Sequence, residues 1–374
     1  MSRRRLLLAG RMRYAMPLSP SLARKFDALE REVDVRVLGS RGAVAGRRDA
    51  RFSLVPPFPV RALDGAAFYA LFPFRLARVL RRERPDVVLV QGAQETGLAL
   101  LGRRLAGSSA RIVADVHGDP GAATRLYGSP LRRLLDAPGD ALARHAIRHA
   151  DGVRTISGYT TGLVRGLGVE PAAEFPAFMD LDPFLDRPVV PLPDRPVVLF
   201  VGVLERYKAV DVLAEAWAQV ARRVPAAELH LVGRGTLADV AEALVREHPG
   251  VRWTPALSTD EVARALDAAS VLVLPSRSEG LGRVVVEAFC RGRGVVGSRV
   301  GGIPDIVEDG VSGLLVEPGD AVGLAEALER VVTDAPLVAR LGQGAHAAAP
   351  GWCASPEEYA AHVRALVERV CEGA

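Results

Sequence analysis

At 374 residues the chain is too long for one core of ordinary size, and its 49% hydrophobic and 25% charged residues exclude a disordered or fibrous chain. Three widely spaced cysteines, Cys290, Cys353 and Cys371, argue against a disulfide framework or a structural zinc site, and no apolar run reaches the ~18–20 residues of a membrane span. The net charge of +4 conceals a split: residues 1–185 hold 29 Lys and Arg against 18 Asp and Glu, leaving 19 basic and 26 acidic residues to the remainder, so the first half is expected to meet something anionic.

The chain opens on Arg3-Arg4-Arg5 followed by Leu6-Leu7-Leu8-Ala9, too short an apolar run for a signal peptide, and it reads as cytoplasmic. That run predicts a first strand over 5–9, with a loop at 10–16 where Arg11 and Arg13 offer positive charge. Further strand-like runs fall at 33–38, 87–90, 112–116 and 152–156. Between them, residues 66–84 mix aromatics with arginines in a basic amphipathic pattern. Such a pattern fits either a packed helix with solvated arginines, interrupted at Pro73, or a surface lying on an anionic membrane. Few aromatics and no helix-turn-helix or RNA-binding signature argue against a nucleic-acid partner. The segment Ala114-Asp115-Val116-His117-Gly118-Asp119-Pro120 sets His117 at the end of a strand, and Ser157 is expected to cap the next helix.

Residues 183–196 hold five prolines and cannot continue a helix or central strand, which marks a linker. It separates a domain over 1–185 from one over 186–350, and a helical segment over 351–374 follows. The second strand series lies at 197–201, 228–232, 251–253, 271–274 and 295–297. Strands alternating with helical patterns mean βαβ units, parallel sheets and two doubly wound α/β domains.

The chemistry concentrates in Pro275-Ser-Arg-Ser-Glu279-Gly280-Leu281-Gly282-Arg283-Val-Val-Val-Glu287. A buried strand ends, a glycine-bearing loop follows, and a helix starts near Gly282. This geometry points free backbone N–H groups at the carboxyl edge of a sheet, where anions and ligands bind. Glu279 and Glu287 supply carboxylates, a group that accepts hydrogen bonds well from hydroxyls such as those of a sugar or ribose. A structural alternative pairs Glu287 with Arg283 one helical turn away.

Glu279 and Glu287, with seven residues between them, resemble the E-x7-E motif of the retaining family 4 glycosyltransferases of the GT-B fold. The likeness continues through Gly301-Gly302-Ile-Pro-Asp305 to Gly310-Val-Ser-Gly313 and back to Gly202-Val203-Leu204-Glu-Arg206-Tyr-Lys208. Gly233-Arg-Gly235 resembles the family's G-x-G loop, or is a plain αβ turn. The resemblance implies two Rossmann-like domains facing across a cleft, with the segment 351–374 crossing back to the first. It implies that Lys208 contacts the diphosphate of a nucleotide sugar, with Gly280, Leu281 and Gly282 near sugar and phosphate. Glu279 would hold donor-sugar hydroxyls, Glu287 the ribose, and His117, in a segment similar to the family's V-H-D strand, would lie beside the reaction centre.

The arginine of the family's G-R-L is Val203 here, so Arg206 or Arg283 is expected to replace that cation. The family's Gly-Gly is likewise missing from the 10–16 loop. Asp180-Leu-Asp182 mimics a metal-binding D-x-D but falls beside the linker, and no metal or other cofactor is expected. The implied reaction is glycosyl transfer with retention to an unidentified acceptor. A nucleotide-sugar epimerase, or a non-catalytic carbohydrate- or nucleotide-binding protein, stays open as an alternative.

Overall fold

The computed structural model describes residues 3–44, 49–60, 64–119 and 136–373. Pro120 of the histidine segment and Ala374 of the C-terminal segment lie outside the described residues. The chain divides into two compact units, Met1–Phe178 with Ala354–Ala374, and Met179–Cys353. The proline-based seam lies a few residues further along than the division at Phe178.

Unit 1 is built on a parallel sheet of order β3-β2-β1-β4-β5-β6-β7. Its strands are β1 (Arg5–Met16), β2 (Asp34–Val44), β3 (Phe52–Val55), β4 (Val87–Gln91), β5 (Arg111–Val116), β6 (Gly152–Thr155) and β7 (Ala173–Glu174). Helices α1 (Pro20–Glu32), α2 (Asp64–Glu83) and α3 (Ala93–Ala106) form the first crossovers. Unit 2 repeats the plan with order β10-β9-β8-β11-β12-β13. Here β8 is Val197–Val201, β9 Glu228–Val232, β10 Val251–Thr254, β11 Val271–Leu274, β12 Gly294–Ser298 and β13 Gly313–Val316. Both orders reverse beside their first strand, at β1/β4 and at β8/β11. In an open α/β sheet that reversal opens a crevice at the strands' carboxyl ends.

Continuous apolar runs form these central strands because helices cover both faces of the sheet. All four residues of β11 and all five of β12 are buried. The helix Val210–Arg223 buries Val210, Leu213, Ala216, Trp217 and Val220 at helical spacing, and Trp217 sits fully inside the core of unit 2. In unit 1 the C-terminal helix Pro356–Glu372 packs on α1, and its Val363, Leu366 and Val370 join the core beneath β1.

Three elements depart from the sequence reading. Strand β1 continues through the expected loop to Met16, slipping register against β2 between Ala9 and Arg13. Beyond the slip, buried Tyr14 and Met16 alternate with exposed Arg13 and Ala15, the period-two pattern of a half-buried strand. Helix α2 runs unbroken past Pro73, which is buried against α3: a Cβ on Gly102 would stand 2.9 Å from the Pro73 carbonyl oxygen. The proline-rich segment is no free tether. It starts with a short helix, Asp182–Leu185, and two buried arginines grip its carbonyls. Arg291 donates to Phe184, Arg187 and Pro188, and Arg293 to Val190 and Pro191.

Candidate functional site

In unit 2 the switch point between β8 and β11 gathers the residues singled out from the sequence. After β8 the chain turns through a 3-10 helix, Arg206–Lys208, and Ala209 takes a left-handed conformation (φ 54°) before the next helix. That turn swings the Lys208 ammonium onto Glu279 from the loop after β11, and the two form an ion pair. Their side chains are only 12% and 15% exposed, so water competes weakly for the contact. An ammonium carries three donors, and one carboxylate leaves the others for a ligand.

The loops around this pair approach so closely that only glycine fits. A Cβ on Gly301 would sit 1.9 Å from the Glu279 carbonyl oxygen, and one on Gly302 would sit 2.4 Å from that of Gly280. Gly233 (φ 145°) and Gly235 press equally hard on the backbone of Gly202 and Leu204. The Gly233-x-Gly235 pattern is thus required by loop-on-loop packing behind the site, whatever a ligand adds.

Leu281 is buried, and Gly282 (φ 89°) opens the helix Arg283–Cys290 with no side-chain cap on its first N–H groups. Glu287 lies on that helix, 8% exposed. Burial pushes its carboxyl above the usual range, and Arg283, donating to it at 2.9 Å, offsets only part of that rise. The intrahelical pair considered from spacing alone is therefore present, and it occupies Arg283.

Arg206 is exposed, and among the described residues no hydrogen bond links its guanidinium to Lys208 or Glu279. Sequence reasoning missed Arg277. It forms a two-pronged pair with Asp211 at 2.7 and 2.8 Å and donates to the Arg206 carbonyl, tying the β11 loop to the β8 loop. Burial raises the Asp211 carboxyl, but Arg277 together with the backbone N–H groups of Asp211 and Val212 outweighs this and holds it below its ordinary value. The signal was the basic residue in Pro275-Ser-Arg277 directly after a buried strand.

In unit 1, His117 follows β5, its side chain 30% exposed. Its Nε2 lies 2.8 Å from Asp115, whose other oxygen accepts from Arg154 at 2.7 Å. Neither partner was singled out from sequence, although Asp115 and His117, two residues apart at a strand end, share a face. Next along the sheet, Glu95 is buried just after β4 and accepts from the Tyr69 hydroxyl at 2.8 Å; burial pushes its carboxyl up. Arg11 and Arg13 both pair with Asp64, which occupies the positive charge expected of the 10–16 segment. Ser157 caps the helix Gly158–Arg165 as expected.

The chain is similar to known proteins. The profile described as "Glycosyl transferases group 1" matches residues 195–334, and the one described as "Glycosyl transferase 4-like domain" matches residues 19–174. A D-inositol 3-phosphate glycosyltransferase of Nocardioides sp. is 36% identical over 196 residues, covering 47% of this chain and 43% of that enzyme. The sulfoquinovosyl transferase SQD2 of Arabidopsis thaliana is 35% identical over 145 residues, 38% of this chain and 28% of that one. The chain thus spans half or less of the length of these curated relatives.

Among solved structures, a sucrose-phosphate synthase from Thermosynechococcus elongatus superposes with a TM-score of 0.75 at 19% identity, covering 93% of this chain and 95% of that one. The Anabaena protein HepE in complex with UDP and glucose superposes at 0.70 and 18% identity, covering 96% and 99%. At such identities the likeness speaks for the fold, which is that of the GT-B glycosyltransferases. The chain belongs to glycosyltransferase family 4, the group 1 glycosyl transferases of the GT-B fold.

Proposed function

We propose that this chain transfers a glycosyl group from a nucleoside diphosphate sugar to an acceptor, with retention of anomeric configuration. The observation that carries the reading is the Lys208–Glu279 pair at the β8/β11 switch point, beside the uncapped start of the helix Arg283–Cys290. Breaking a sugar–phosphate bond leaves negative charge on the diphosphate, which a fixed ammonium and helix N–H groups stabilise. In this reading Lys208 binds the diphosphate and Glu279 the sugar hydroxyls. Backbone from Gly280 to Gly282 lines sugar and phosphate, and Glu287 receives the ribose. With Val203 in place of an arginine and Arg283 engaged by Glu287, Arg206 is the cation left to assist, and Arg206→Ala is expected to weaken nucleotide binding. The carboxyl edge of the unit 1 sheet, with His117 and Glu95, receives the acceptor. No metal takes part, so chelation with EDTA leaves turnover unchanged.

A thermal-shift panel of UDP, GDP and ADP with their glucose conjugates tests the donor, because a ligand that binds the native state raises its melting temperature. UDP leads the panel because HepE was crystallised with it. No shift with any of them sinks the reading, and a product of inverted configuration sinks retention. Donor conversion without acceptor would favour an epimerase.

A peripheral contact with an anionic membrane through α2 is supported by exposed Leu71 and Phe74 beside exposed Arg78, Arg81 and Arg82. The end of that helix also rims a hollow of about 630 Å³ that Arg4, Arg5, Arg81, Arg84 and Arg111 line with Asp86. Wild type is expected to pellet with phosphatidylglycerol vesicles at low salt and to stay in solution at high salt. Absence of pelleting at low salt rules the contact out.

A further inference from the structure

The Asp115–Arg154 pair behind His117 has no part in the reading above. We propose that Arg154 and Asp115 are positioning residues that fix the His117 ring with a proton on Nε2. In the neutral form of the ring, Nδ1 is then the acceptor offered to a hydroxyl of the bound sugar or acceptor. The inference rests on His117 being a site residue and adds how its ring is held.

Arg154 is 1% exposed and locked. One guanidinium nitrogen donates to Asp115, the other to the carbonyls of Phe175 and Pro176 at 2.9 and 2.7 Å, and the group stacks on the Phe175 ring at 4.1 Å. A guanidinium has only donors, so what faces it must accept. Asp115, its side chain 9% exposed, gives one oxygen to Arg154 and turns the other to His117. An ionised carboxylate carries no proton, so the proton in the 2.8 Å contact resides on His117 Nε2. Burial raises the Asp115 carboxyl, but Arg154 and then His117 more than reverse this and bring it to about 2, so it stays ionised throughout the neutral range. The remaining ring nitrogen belongs to a side chain exposed enough to meet a ligand.

Asp115→Asn separates this device from a merely structural pair. The amide is isosteric, but Arg154 still demands an acceptor, so the amide oxygen must face Arg154 and its NH₂ must face His117. Nε2 then has to accept, and the ring proton moves to Nδ1. Two-bond ¹H–¹⁵N spectra of the full chain labelled on histidine, taken at alkaline pH, read this directly. The expected result is an Nε2–H ring in wild type and an Nδ1–H ring in Asp115→Asn. UDP affinity is expected to stay the same, and UDP release from UDP-glucose to fall about 10²-fold.

An Nδ1–H ring in wild type overturns the proposal, and that measurement needs no variant. A variant whose ring keeps its proton on Nε2 overturns it too, as does one whose ring switches while turnover is unchanged. If His117→Ala kept full turnover, the assignment of His117 to the site would fall while the spectra still scored the tautomer.

Discussion

Lys208 and Glu279 lie 71 positions apart in sequence, and each would be costly to bury alone. Their pairing makes a preformed charge couple, and in the proposed reading a diphosphate takes up the remaining ammonium donors. Lys208→Met is therefore expected to weaken UDP binding by about tenfold or more, because a charge-assisted bond contributes about 1.5–3 kcal/mol. Titration calorimetry checks this, and unchanged affinity would remove Lys208 from the donor site. Asp115 makes a prediction in pH. Its folded pKa lies below the ordinary value of 3.8, at about 2, so the stability it contributes is present above about pH 4 and is lost as the pH falls through 4 toward 2. The shift corresponds to about 2 kcal/mol. Acid unfolding of Asp115→Asn should lack that part of the pH dependence, and an unaltered acid limb would contradict the ion pair with Arg154.

At the scale of elements, close loop packing shapes the proposed donor pocket. The loop after β12 meets the loop after β11 backbone to backbone, and Gly301 (φ 62°) meets both demands on a glycine there: left-handed geometry and no room for a Cβ. Gly301→Ala must displace the Glu279 backbone, at a cost of about 2–5 kcal/mol. It is expected to weaken UDP binding as well as stability, since the displaced residue is Glu279 itself. Gly310→Ala is the control, because its left-handed backbone (φ 78°) has no atom near the added Cβ. A Gly301→Ala protein no less stable than Gly310→Ala in urea would refute the packing argument.

On the scale of the whole molecule, the segment between the strand series, read from its prolines as a linker, is held by buried charge. Arg291 is fully buried, pairs with Asp267 at 2.7 Å and donates to three carbonyls of residues 184–188. Removing it strands Asp267 and those carbonyls together, so Arg291→Met is expected to cost about 3–5 kcal/mol. Denaturant unfolding reads this loss, and a change under about 1 kcal/mol would show that the segment is not held this way. The charge split between the halves also belongs to this scale: the arginine-lined hollow and the exposed arginines of α2 lie in the basic half.

Sequence by itself determined what local physics writes locally. Two series of apolar runs separated by helical spacing meant parallel α/β units, and a strand, glycine loop and carboxylate-bearing helix over 271–290 marked the segment proposed here to bind the donor. It misjudged β1 past Ala9, because Gly10 looks like a stop while the slipped pairing with β2 that carries the strand onward is non-local. It misjudged Pro73 for the same reason, since a neighbouring helix decides whether a kink is tolerated. Only the tertiary structure decided which charges meet: Lys208 with Glu279, Arg277 with Asp211, Arg154 with Asp115, and the two arginines that hold the proline segment. An ion pair is stable where burial excludes water and a partner is brought within reach, and both conditions come from the folded chain.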